Sequence, residues 1–331
     1  MGRNNGIDLL RLVGAFFIVL IHSQFGSTPE AVSGNIKLLA RWAVPFYFIV
    51  SGYFIGIKYN KTNAVNLLDI KKLVGIYLVA NLIYLPVIIA KNKLLKENIP
   101  SNVELFLYGS YWHLWYVSSL IIGIITLWYF ISSKQFFILK ILSVLIIVFA
   151  LFSNSYSLIF HINPSIDFGR FFLSIPFLYV GFLVSKHHLR IKGGFWISIL
   201  LILVGIVVQF FEASFFSDRY NLSVLDQNFL LGTIPAAVGA FLLSQNLPGE
   251  NEYLAMKGKE FSLFIYIYHP LIIFLVNRVL EQSTFNLLIF SPIITFMLAL
   301  LTGMFLKKYM PVLFDFLNGA LFKDNKRPGG L

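Results

Sequence analysis

The sequence predicts an all-α, polytopic integral membrane bundle of about ten transmembrane helices. Three observations lead there: the composition, the apolar runs of spanning length, and the side on which the cations fall. Of 331 residues, 58% are hydrophobic and 17% aromatic against 12% charged, with a mean hydropathy of +0.79. That balance excludes an ordinary soluble domain, which has more polar surface to show to water.

Ten apolar runs approach the roughly 20 residues a helix needs to cross hydrocarbon. They are Ile7 to Phe25, Leu38 to Ile57, Leu73 to Ala90, Leu114 to Ile131, Phe136 to Phe152, Phe171 to Ser185, Phe195 to Phe211, Phe229 to Ser244, Phe261 to Asn277 and Leu287 to Leu306. The first is long, is interrupted by Arg11 and is followed by no small-residue cleavage site, so it is expected to stay as a span.

With Met1 in the cytoplasm, one set of alternate loops carries Arg3, Lys58, Lys61, Lys71, Lys72, Lys134, Lys186, Arg190, Lys192, Lys257, Lys259, Lys307, Lys308, Lys323, Lys326 and Arg327. The other set carries half as many: Lys37, Arg41, Lys91, Lys93, Lys96, Arg170, Arg219 and Arg278. The net charge of +11 therefore reads as the positive-inside rule and not as a nucleic-acid surface. The expectation is a multi-pass protein of the cell membrane with both termini cytoplasmic, residues 1–310 forming one membrane domain and 311–331 a cytoplasmic tail. Oligomeric state is not legible.

Ionisable residues at membrane depth usually mark a site. The first run has two, Arg11 and His22, eleven residues apart on one helix face and separated by roughly 16.5 Å along the axis. Two readings of Arg11 stand open: an anion site, or a side chain that snorkels to the interface and pairs with Asp8. In the third run Tyr77, Asn81 and Tyr84 share one face, and in the ninth Ser262, Tyr266 and His269 do, with Pro270 freeing a backbone carbonyl that a neighbour must satisfy. The fourth run is entered through Tyr111-Trp112-His113-Leu114-Trp115-Tyr116, a histidine among aromatics at the level where His22 should end. An interfacial aromatic belt is the alternative.

Other chemistry finds little footing. Zero cysteines exclude thiol catalysis and cysteine-ligated zinc. No metal site is expected, since His187-His188 lacks i, i+4 spacing and no His-Glu-x-x-His occurs. A serine nucleophile lacks an elbow motif, so direct transfer is preferred over a covalent intermediate.

The motifs resemble the integral-membrane acyltransferase 3 family, which includes surface-glycan O-acetyltransferases and the membrane part of membrane-bound serine racemases. The resemblance rests on Ile7-Asp8-Leu9-Leu10-Arg11 running on to Ile21-His22, on Pro45 to Phe54 with its Ser51-Gly52-Tyr53, on Trp112 to Tyr116, and on Ser262 to Pro270. One departure is Lys71-Lys72-Leu73-Val74-Gly75, where many members carry an arginine-rich motif.

The resemblance implies transfer of an acyl group, usually acetyl from acetyl-CoA, to a hydroxyl of a glycan or lipid-linked acceptor at the outer face. Arg11, Lys71 and Lys72 are then expected at the donor phosphates and His22 as the general base, with His113 beside it. Trp112, Trp115, Tyr116, Tyr266 and His269 are expected to line the acceptor cleft. His113, Tyr266 or the backbone around Ser51-Gly52 are candidate donors to the oxyanion. A multi-span transporter and a noncatalytic envelope-assembly partner are the other two classes.

Overall fold

A computed structural model describes residues 4–65, 68–95, 107–161, 166–189, 194–247, 251–282 and 286–319. Arg3, Lys96, Arg190, Lys192, the side chains of Lys91 and Lys93, and the tail from residue 320 on lie outside the described residues. Each expected apolar run falls on a helix. In chain order these are α1 (Asn5–His22), α2 (Glu30–Leu38), α3 (Ala43–Thr62), α4 (Leu68–Leu95), α5 (Trp115–Ser132), α6 (Phe136–Phe152), α7 (Ile166–Phe172), α8 (Ser174–Lys186), α9 (Gly194–Tyr220), α10 (Thr233–Asn246), α11 (Glu252–Leu280), α12 (Ser291–Tyr309) and α13 (Pro311–Leu317). No strand occurs among the described residues.

Among the described residues, eight stretches are long and apolar enough to cross a membrane. The fifth and eighth expected runs form shorter helices, the 17-residue α6 and the 14-residue α10. The amphipathic α2 was not anticipated from the apolar runs, and the sixth run breaks at Leu173 between α7 and α8.

Local chemistry sets the ends. Asn4 caps α1 by accepting from the backbone N–H groups of Gly6 and Ile7 at 3.0 and 3.2 Å. Glu212 of α9 accepts from the N–H groups of Leu231 and Gly232 at 2.8 and 2.9 Å, closing the unpaired start of α10, and also takes the Tyr156 hydroxyl.

Small residues then set the helix crossings. A Cβ on Gly52 would lie 1.9 Å from the Leu178 carbonyl oxygen, and one on Gly181 1.9 Å from that of Ile49, so α3 and α8 touch backbone to backbone. At Gly258 the same test meets the Asp8 carbonyl oxygen at 1.8 Å, which brings α11 against α1.

These contacts fix direction. Asp8 lies by Gly258 and His22 by His269, so α1 and α11 run parallel. Gly14 and Phe17 of α1 meet Tyr47 and Trp42, so α3 runs antiparallel to α1. The result places Arg11 and the chain's Lys257, Lys307 and Glu260 toward one end of the bundle and His22, His113 and His269 toward the other.

The expected tail is not all free chain: Phe314 of α13 is buried on the rings of Phe261 and Phe264, and the Tyr268 hydroxyl donates to the Leu317 carbonyl at 3.0 Å.

Candidate active site

The inner face of α11 organises the site, and Pro270 is the reason. Proline has no N–H, so the carbonyl of Tyr266 one turn earlier has no ladder donor. His269 supplies one, its Nδ1 lying 2.7 Å from the Tyr266 oxygen and 3.1 Å from that of Ile265. The neighbouring Ile267 carbonyl takes two side chains from other helices, His113 Nε2 at 2.8 Å and the Tyr84 hydroxyl at 2.8 Å.

A carbonyl only accepts, so each bonded ring nitrogen carries its hydrogen. In the neutral rings that leaves His269 Nε2 and His113 Nδ1 as lone pairs. Both are shielded from solvent and have no hydrogen-bond partner among the described residues. The two side chains thus present fixed acceptors inside a buried space.

His22 joins them from the end of α1. Its ring stacks on His269 at 5.2 Å between centroids and 17° between planes, and lies 4.2 Å from the Trp112 ring. His113 lies 5.6 Å from His269 and 5.4 Å from Trp112. Stacked rings cannot hydrogen bond in plane, so the nitrogens of His22, which is half-buried and has no hydrogen-bond partner among the described residues, are directed elsewhere. No group of three or more His, Cys, Asp or Glu side chains among the described residues is arranged to hold a metal ion.

Toward the opposite end lies a cavity of about 170 Å³ lined by Arg11, Tyr47, Ser51, Leu73, Tyr116, Ser262 and Tyr266, with apolar neighbours. Tyr266 belongs to both regions: it walls the cavity, packs on Tyr116 at 4.7 Å and sits 5.9 Å from His113. Arg11 pairs with Asp8 at 3.0 Å, as the interfacial reading of the sequence held, and also lines the cavity. The Tyr47 hydroxyl donates to the Arg11 carbonyl.

Of the residues singled out from sequence, the structure brings together His22, His113, His269, Trp112, Tyr266 and Tyr116. Trp115 packs on Phe48 at 6.4 Å. Lys71 is exposed and Lys72 half-buried on α4, and only the next residue, Leu73, reaches the cavity wall. On α4, Asn81 accepts from the Ser110 N–H and Tyr84 is fully buried.

The oxyanion candidates need correction. Gly52 is inside α3 and abuts Leu178, so its backbone serves a helix crossing. The Tyr266 hydroxyl is committed to the His113 carbonyl, and His113 Nε2 to Ile267. Ser262 was read only as part of a polar face, yet its hydroxyl is buried and lines the cavity. Its position i−4 to Tyr266 was the available signal.

The chain matches the acyltransferase domain family over residues 4–306. It is 29% identical over 318 residues to an amino-acid racemase of Enterococcus faecalis, covering 87% of this chain and 44% of that protein. A serine/alanine racemase of Enterococcus gallinarum is 26% identical over 292 residues, covering 81% and 40%. The chain thus spans less than half the length of these curated relatives. No solved structure matches. A family match over nearly the whole chain, on the helices that hold the three histidines, makes this chain a member of the integral-membrane acyltransferase 3 family.

Proposed function

We propose that the protein transfers an acyl group, acetyl in the first instance, from acyl-CoA entering at the Arg11 end to a hydroxyl of a cell-envelope glycan or lipid-linked acceptor at the His22 end. The observation that carries this reading is the pair of fixed imidazole lone pairs beside His22, joined through Tyr266 to a cavity that begins at Arg11.

The phosphates of the donor meet Arg11, with Lys71 and Lys72 on the approach, while its acyl-bearing arm threads the cavity between Tyr47, Tyr116 and Tyr266. His22 accepts the proton of the acceptor hydroxyl as its oxygen attacks the thioester carbonyl. The C–S bond breaks, the acyl group stays on the acceptor oxygen, and the sulfur leaves as the thiol after taking up the proton. The Ser262 hydroxyl, about 10.5 Å along α11 from His269, faces the donor's arm inside the cavity. His269 and His113 present lone pairs that accept from other hydroxyls of the acceptor, and Trp112 offers a ring face to a sugar.

The test is incubation of purified protein in nanodiscs with acyl-labelled acetyl-CoA and envelope extract. Label appearing in glycan or lipid-linked material supports the proposal. Release of CoA with no labelled acceptor, or no turnover at all, speaks against it.

The relatives' names favour a second reading, that the membrane part handles an amino acid. Uptake of labelled serine into proteoliposomes without acyl transfer would select it.

A further inference from the structure

Around His22 the bundle end carries more positive charge than the acyl chemistry needs. The segment after α1 folds back over this end. Asn286 donates to the Phe25 carbonyl at 3.2 Å, and Arg41 Nη2 donates to the Val224 and Leu225 carbonyls at 2.9 and 3.4 Å. Those bonds hold Arg41 half-buried with its Nε shielded from water and without a partner among the described residues. Such a group is costly unless something else accepts from it.

Lys37 sits four residues earlier, at the end of α2, half-buried with its ammonium 6.0 Å from the Phe25 ring. Neither Lys37 nor Arg41 makes an ion pair among the described residues. Two half-buried cations four residues apart repel each other, and an anion between them reverses the sign of that interaction.

We propose that Lys37 and Arg41 form an anion-binding mouth beside His22, which selects an acceptor carrying a phosphate or carboxylate near the hydroxyl to be acylated. The inference rests on the reading of the His22 end as the acceptor side. A guanidinium with an unused N–H and a nearby ammonium match the oxygens of either group.

The test is equilibrium binding to the full chain in nanodiscs, at low salt and without acyl-CoA, of N-acetylglucosamine 1-phosphate, N-acetylmuramic acid and N-acetylglucosamine. At least one anionic sugar should bind about tenfold or more tighter than the neutral one, a preference that shrinks as salt is raised. Lys37→Gln should cut the ratio to below about threefold, and Lys37→Arg should keep it. Arg41→Gln should do as Lys37→Gln does, and because Arg41 also braces the 224–225 loop, Lys37→Gln decides the matter if Arg41→Gln fails to fold.

Preference for the phosphate sugar alone or the carboxylate sugar alone supports the proposal and names the anion. Equal binding of all three sugars, binding of none, or a ratio unmoved in Lys37→Gln overturns it. Since no acyl donor is present, failure of acyl transfer would sink the enzymatic reading while leaving this result standing.

Discussion

Replacing Gly52 by alanine adds one methyl group where the structure has no room for it. The new Cβ would lie 1.9 Å from the Leu178 carbonyl oxygen, well inside the 3.0 Å below which such contacts do not occur, so α3 and α8 must part by about 1 Å. Across the same crossing Gly181 presses on the Ile49 carbonyl in the same way, which makes the two glycines one joint. Helices in lipid are held by close packing rather than by expulsion of water, so the loss is direct, and overpacking of this kind costs about 1–3 kcal/mol. The assay is thermal unfolding in one detergent, with donor affinity read on the folded fraction. Gly52→Ala and Gly181→Ala should each lower the midpoint. The double variant should lose clearly less than the sum, because the first separation makes room for the second methyl. Donor affinity of the folded protein should hold. A stable Gly52→Ala protein that has lost only its turnover would refute the packing argument and return the Gly52 backbone to the list of oxyanion donors.

Other outcomes follow from single contacts. Arg11→Ala should raise the dissociation constant for acyl-CoA by about tenfold or more through loss of charge-assisted contacts, measured by direct binding; unchanged affinity would leave Arg11 as a partner of Asp8 only. Glu212→Gln should destabilise by about 1 kcal/mol, since two N–H groups at the start of α10, one exposed and one part-buried, share its carboxylate, with chemical denaturation as the readout. Pro270→Ala restores an N–H to the Tyr266 carbonyl and so competes with His269; the protein should be no less stable while acyl transfer falls, and an unchanged rate would show that the ring needs no such anchor.

The spans were legible because lipid demands long apolar runs with every backbone group paired inside the segment. Their limits were less so. The ninth run begins at Phe261, yet α11 starts at Glu252, since the polar turns of Met256 to Glu260 continue the helix beyond the apolar stretch. The eighth run begins at Phe229, but Phe229 to Gly232 stay outside α10, where Glu212 holds the Leu231 and Gly232 N–H groups from a different helix. Arg11, His22 and His113 stood out because charge and imidazole are rare at such depth. What each imidazole presents was hidden, for it depends on carbonyls of Ile265, Tyr266 and Ile267 that a proline exposes and on their distance from a ring in another helix. Lys37 and Arg41 were counted as loop cations, and only the folding back of the segment after α1 shows them beside His22.

The central claim is that His22 removes the acceptor proton. One preparation tests it: His22→Gln in nanodiscs, with acyl-CoA affinity and label transfer to envelope acceptor measured side by side against the parent. The account predicts unchanged donor affinity and transfer slowed by roughly 10²-fold or more, the ordinary worth of a general base. Transfer within about threefold of the parent would contradict it and move the role to His269 or His113.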